Sequence, residues 1–208
     1  VNYSNKFWAN EPWQAINYVS CHDNHTLFDK LKVSKPNASF DDIKKMHKLA
    51  IAIVLTSQGT PFLHAGSEMM RTKNGEDNSY KAPDSINQIN WNLKAKNEDV
   101  VRYFQNLIKL RKAHPAFRMP TAKEVQNKLE FIKSENGFIS YQLKNNVNKD
   151  PWKTILVIYN AQNKTVTYNL KHTWNIAVLG EDFYFKPEKI ISKNLKIPRI
   201  SMVILFKK

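Results

Sequence analysis

Cysteine occurs once in these 208 residues, at Cys21. A single thiol excludes an intrachain disulfide and any metal site built from several thiolates. Runs of 18 apolar residues are absent, which excludes a transmembrane helix. The opening residues, VNYSNKFWANEPW, have neither the basic nor the apolar region of a signal peptide. No membrane partner is therefore expected, and secreted, periplasmic and cytoplasmic locations all stay open. Acidic residues are scarce, 18 against 32 lysines and arginines, so the formal charge is +14. A basic surface gains affinity for nucleic acid by displacing counterions. Here the lysines occur singly or in pairs among asparagines, with no recognition-helix or RNA-binding signature among them. No nucleic-acid partner is expected. Internal repeats and low-complexity tracts are also missing.

A hydrophobic content of 42% supports buried cores. Two patterns divide the chain. The first half alternates short apolar runs with helical periodicity, and the second reads as strands only, which places a boundary near Pro115 to Pro120. A β-prone run at 16–21 ends abruptly in His22-Asp23-Asn24-His25. Asp41 or Asp42 can cap a helix whose Ile43, Met46, Leu49, Ala50, Ile53 and Val54 recur at helical spacing. Gly59 and Pro61 stop it, and residues 61–65 read as a second buried strand. Strand, helix, strand is the order of a parallel crossover unit. Residues 71–90 form a long polar loop with no period, a length associated with function. Asn97 is expected to cap the next helix, with Val101, Phe104, Leu107 and Ile108 as its buried stripe. A hairpin turning at Asn136-Gly137 joins 129–132 to 138–143, and strands follow at 154–159, 165–170, 174–179 and 199–206. These suit a small antiparallel sandwich.

The densest polar cluster is His22-Asp23 with Asn24 and His25. Read by itself it is a strand-end turn in which Asp23 caps neighbouring amides. Zinc ligation by Cys21, His22, Asp23 and His25 lacks an accepted spacing, so no metal is assigned. His64 ends the second strand and reads as a satisfied structural histidine.

Three segments match a known family in order. Tyr18-Val19-Ser20-Cys21-His22-Asp23-Asn24-His25-Thr26-Leu27-Phe28-Asp29-Lys30-Leu31 resembles the last of the four conserved motifs of the α-amylase superfamily, in the form typical of type I pullulanases. Gln58-Gly59-Thr60-Pro61-Phe62-Leu63-His64-Ala65-Gly66-Ser67-Glu68, continuing through Arg71-Thr72-Lys73, resembles the family's next strand. Asn78-Ser79-Tyr80-Lys81-Ala82-Pro83-Asp84-Ser85-Ile86-Asn87-Gln88-Ile89-Asn90-Trp91 resembles the sugar-binding loop after its final strand.

The resemblance implies an α/β plus all-β fold: the C-terminal part of a (β/α)8 TIM barrel at 1–115, then an antiparallel β-sandwich at 116–208. A complete barrel takes about 250 residues, so the missing N-terminal part of the same polypeptide is an expected partner. The implied activity is retaining hydrolysis of α-1,6 branch linkages in pullulan and branched maltooligosaccharides, with nucleophile and acid/base outside these residues. By resemblance Asp23 is the third catalytic acid. His22, Asn24, Asn78, Tyr80, Asp84 and Asn87 are expected to bind substrate, while Trp91 reads as a loop anchor. No cofactor is expected; structural calcium is not indicated. A non-catalytic carbohydrate-binding module and an amylase or isoamylase relative are the alternatives.

Overall fold

The computed structural model describes residues 9–186 and 190–208. Two short strands, β1 (Ile16–Asn17) and β2 (Thr60–Pro61), pair in parallel. Two helices lie between them in sequence. Thr26 caps α1 (Leu27–Ser34) by accepting from the Asp29 N–H. Ser39, rather than Asp41 or Asp42, caps α2 (Phe40–Thr56), and those two acids sit in its first turn, where they complement the helix dipole. Both strands are shorter than their apolar runs suggest. Ladder bonds join Thr60 N to Ala15 O at 2.8 Å and Phe62 N to Asn17 O at 2.9 Å. Further on, side chains take over the contact, with Ser20 Oγ 3.1 Å from His64 Nδ1. Gly59 makes the close approach possible. It has φ +107°, and a Cβ there would lie 2.8 Å from Ala15 O.

The segment at 71–90, read as a polar loop with no period, contains a tight turn at Ser79–Lys81 and the short helix α3 (Asp84–Asn87). Another short helix, α4 (Asn92–Lys96), leads into α5 (Glu98–Ala113). Asn97 does not cap α5 with its side chain. Its Nδ2 instead donates to Met69 O at 3.0 Å, tying the helix start to the segment after β2. Val101, Phe104 and Leu107 are buried as the spacing predicts, joined by Val100, Tyr103 and Leu110, while Ile108 is half-buried.

After α6 (Ala122–Lys128), capped by Thr121, the chain is built of strands. These are β3 (Leu129–Glu135), β4 (Phe138–Lys144), β5 (Thr154–Asn160), β6 (Val166–Leu179), β7 (Asp182–Phe183), β8 (Ile190–Ile197) and β9 (Ser201–Lys207). They form one antiparallel sheet in the order β3-β4-β5-β9-β6-β7, with β8 also on β6. Asn136 and Gly137 both take positive φ, as a two-residue hairpin turn requires. The runs read as strands at 165–170 and 174–179 are one strand, with an irregularity between Leu170 and Trp174. The sequence reading missed β8, whose Lys193, Asn194 and Lys196 obscure the alternation of Leu195 and Ile197.

β5 and β9 are apolar on both faces because both faces are covered. Ile155, Val157 and Tyr159 lie opposite Phe206, Ile204 and Met202, and this face packs with α2 and α5 in one core. Leu156 and Ile158 lie opposite Leu205 and Val203, and Leu170, Trp174, Leu195 and Ile197 of β6 and β8 cover them. The Phe138 and Tyr168 rings stack at 6.0 Å across that second core. Each such buried aliphatic contributes about 1.5–3 kcal/mol, against at most about 1 kcal/mol for an exposed ion pair. The two cores therefore dominate the stability.

Buried polar bonds set the register between helices and sheet. Thr56 Oγ1 is 2.5 Å from Tyr159 Oη, and Tyr141 Oη donates to Thr56 O at 2.8 Å. Burial raises both phenols' pKa values, so they stay protonated and able to donate. Arg111 Nη1 donates to Leu55 O and Ser57 O, each at 2.9 Å, and Nη2 to Gly59 O at 2.8 Å. Burial lowers its pKa to about 10, which still leaves it charged at neutral pH against the carbonyl end of α2.

Candidate active site

His22 and Asp23 lie in the segment between β1 and α1, with His22 Nδ1 3.1 Å from Asp23 Oδ1. The two side chains are 84% and 72% exposed, so the carboxylate faces open space rather than a packed interior. Cys21 Sγ donates to Asp23 O at 3.7 Å. Asn24 takes φ +62°, a left-handed turn that asparagine tolerates. Asp23 is not on the strand itself, since β1 ends at Asn17. It lies on the connection that leaves the strand's carboxyl end.

The connection after β2 lies against this segment. His64 reaches Ser20 Oγ, and its pKa is lowered by burial first and then by Arg71, Lys73 and His22, with Glu68 opposing. Burial also lowers the Lys73 pKa and Arg71 adds to the shift, while the carboxylates of Asp23 and Asp29 act against it. Arg71, Lys73, His22, His64 and Asp23 therefore share one electrostatic environment. A mixed charge cluster of this kind presents both donors and acceptors to hydroxyls.

The polar loop is rigidly held. Asp29 accepts from Thr26 Oγ1 at 2.8 Å, Thr72 Oγ1 at 2.6 Å and Lys73 N at 2.7 Å. Lys73 Nζ donates to Ser79 Oγ at 2.5 Å. Arg71 donates to Ala65 O at 3.4 Å and to Asn87 O, and its side chain fills the space beside Gly66, where a Cβ would lie 2.6 Å from Arg71 Cδ. Sequence reasoning missed Asp29, Thr72 and Lys73 as organisers. The visible signal was Thr26-Leu27-Phe28-Asp29, the spacing of a helix-capping pair.

Among the expected substrate-binding residues, Asn78, Tyr80 and Asp84 are exposed along this loop, Tyr80 at 74%. Asn87 is engaged internally: its Nδ2 donates to Ser79 O at 2.7 Å and Ala82 O at 3.0 Å, so only its amide oxygen remains for a ligand. Among the described residues no hydrogen bond joins Asp23 to Asp84. Trp91 does not anchor the loop through burial, being 66% exposed. A concavity of about 820 Å³, lined by Trp13, Pro61, Leu63, Ile108 and Met119, contains none of the candidate residues. Among the described residues no group of three or more His, Cys, Asp or Glu is placed to hold a metal ion.

Comparison with known proteins identifies relatives of this chain. Residues 125–182 match the family described as pullulanase, all-beta domain. A pullulanase of Bacillus subtilis (strain 168) is 39% identical over 197 residues, which is 94% of this chain and 27% of that protein. The structure of a pullulanase from Bacillus acidopullulyticus superposes with a TM-score of 0.92 at 45% identity, covering 95% of this chain and 25% of that one. The type I pullulanase of Bacillus subtilis str. 168, solved with maltose, gives a TM-score of 0.90 at 38% identity, covering 95% of this chain and 28% of that one. The chain thus spans about a quarter of the length of these relatives. By sequence and by fold, the chain is a homologue of the pullulanases, related to them across nearly the whole of its own length.

Proposed function

We propose that this chain is the carboxy-terminal part of a debranching glycosidase that cleaves α-1,6-glucosidic linkages in pullulan and related α-glucans with retention of configuration. The observation that carries the reading is the exposed Asp23, paired with His22 on the connection leaving the carboxyl end of β1, the end at which barrel enzymes gather their chemistry. On this reading residues 1–115 belong to a (β/α)8 barrel and 116–208 form the sandwich appended to it. The parallel pairing of β1 with β2 across intervening helices supports the barrel assignment. The exposed Ile16, Tyr18, Phe62 and Leu63 would be covered by the rest of the barrel.

Asp23 binds hydroxyls of the sugar undergoing cleavage, and His22 donates to the same ring. As that ring flattens toward an oxocarbenium-like transition state, bonds to the charged carboxylate strengthen, so they lower the barrier rather than merely holding substrate. Nucleophile and acid/base, about 5 Å apart in a retaining enzyme, come from the part of the polypeptide outside these residues. Asn78, Tyr80 and Asp84 line the approach to the cleavage point. Maltose bound in the relative's structure supports a glucan ligand here.

The test is product release from pullulan. A polypeptide carrying this region together with the complementary barrel part should liberate linear maltooligosaccharides. Asp23→Ala should lower kcat by a factor on the order of 10²–10³, and the 208-residue chain alone should be inactive. Glucan binding without turnover in the long polypeptide would leave a carbohydrate-binding module in place of the enzyme.

A further inference from the structure

Trp91 stands at the entrance to α4 with its indole two-thirds exposed, and it forms one wall of a concavity of about 530 Å³. Hydrogen-bonding groups around that space come from Thr72, Asn74, Ser85, Gln88, Asn90 and Asn92, and Ile86, Ile89 and Leu93 add apolar surface. None of these carries a charge. An anion would find no cation here, and a wholly apolar ligand would strip water from these amides and hydroxyls without replacing it. A sugar ring fits both demands, because its hydroxyl edge needs neutral donors and acceptors and its C–H face packs on an aromatic surface.

The cleft is also partly preorganised. Asn90 Oδ1 accepts from Asn92 N at 3.1 Å, which fixes the Asn90 side chain. Among the described residues, no hydrogen bond engages the side chains of Ser85, Gln88 or Asn92, so their donors are left to solvent or ligand. Asp84 and Asn87 lie three apart along α3, and Ser85 and Gln88 repeat that spacing one residue on, at the adjacent face and the helix end. A glucan running past Asp84 therefore meets the cleft without leaving α3. Thr72 and Asn74 also line a second concavity of about 540 Å³, with Phe28, Lys32 and Val33, so the groove continues toward α1.

We propose that this cleft is an accessory α-glucan subsite in which Trp91 is the stacking wall and the flanking amides bind hydroxyls. It takes a different glucose unit from the one held by Asp23 and so selects for longer chains. The inference rests on the α-glucan reading above but is tested apart from catalysis.

Maltohexaose is titrated calorimetrically into the polypeptide that carries this region, as wild type, Trp91→Ala, Trp91→Phe and Gln88→Ala, each checked for an unchanged thermal midpoint. Trp91→Ala should weaken binding about tenfold, Trp91→Phe should retain most of the affinity, and Gln88→Ala should lose a smaller part. Maltohexaose should also shield from acrylamide the fluorescence that distinguishes wild type from Trp91→Phe. Wild-type affinity in folded Trp91→Ala overturns the subsite. If Trp91→Ala does not fold, unaltered binding by Gln88→Ala together with an unshielded Trp91 overturns it. A wild type that binds maltohexaose through Trp91 yet never cleaves pullulan removes the debranching reading and leaves the subsite. Cleavage of pullulan with unaltered affinity in Trp91→Ala removes the subsite alone.

Discussion

The carboxylate of Asp29 accepts a hydrogen bond from the backbone N–H of Lys73 at 2.7 Å, across 44 residues of chain. Asp29 sits in the first turn of α1, six positions after Asp23, and Lys73 opens the polar loop. One buried side chain thus locks the loop bearing Asn78, Tyr80 and Asp84 to the segment bearing His22 and Asp23.

Asp29 is 3% exposed, and its partners Thr26, Thr72 and Lys73 would lose a buried acceptor together. Asp29→Ala should cost about 3 kcal/mol in urea unfolding. Asp29→Asn should cost less, because its amide oxygen still accepts from Lys73 while its NH₂ turns to a threonine hydroxyl. On the glycosidase reading, both raise KM for pullulan more than they lower kcat, since the chemistry stays intact while the loop loosens.

His47, 1% exposed, lies 2.7 Å from Ser67 O through Nε2. Burial lowers its pKa from 6.5 to about 4, with the Ser67 bond acting weakly the other way. The neutral ring donates from Nε2. Between pH 6.5 and about 4 the unfolded chain binds a proton that the folded chain refuses, so this contribution to stability falls as pH falls through that window. Its full size is about 3 kcal/mol. Urea unfolding at pH 7 and pH 4.5 should show a steeper loss in the wild type than in His47→Gln, which keeps a donor but does not titrate. Equal slopes would mean that the site hydrates on protonation.

Lys48 is buried, and its ammonium meets Asp99 at 2.8 Å and Glu181 at 2.6 Å, joining α2, α5 and the turn between β6 and β7. Both carboxylates are about half exposed and can rehydrate. Lys48→Met, which keeps the aliphatic stem packed near Tyr103, should therefore change stability by less than about 1 kcal/mol. Lys48→Ala should cost about 2 kcal/mol or more from lost packing. Comparable losses in the two variants would assign the stability to the charges instead.

Much of this architecture was legible locally. The periodicity of α2 and α5, the Asn136-Gly137 hairpin and the contiguous apolar runs of β5 and β9 are properties of neighbouring residues. The candidate pair His22-Asp23 was visible because a β-prone run stops at a cluster of polar side chains. Other features were hidden because they depend on distant partners. β1 and β2 last only as far as their mutual ladder, β8 exists because β6 accepts it as a neighbour, and Asn97 turned from a cap into a tie to Met69. Asp29 looked like a helix-start acid. Its two long-range donors decide its role.

What the amino-acid order determined by itself is the kind of element each stretch forms and the chemistry it can offer, because propensity, capping and hydrophobic period act over a few residues. Tertiary structure alone decided where the strands end, which face of the sheet the helices cover, and that Trp91 stands in a cleft instead of a core. Those outcomes follow from burial and hydrogen bonding between residues far apart in the chain, and no local window contains both partners.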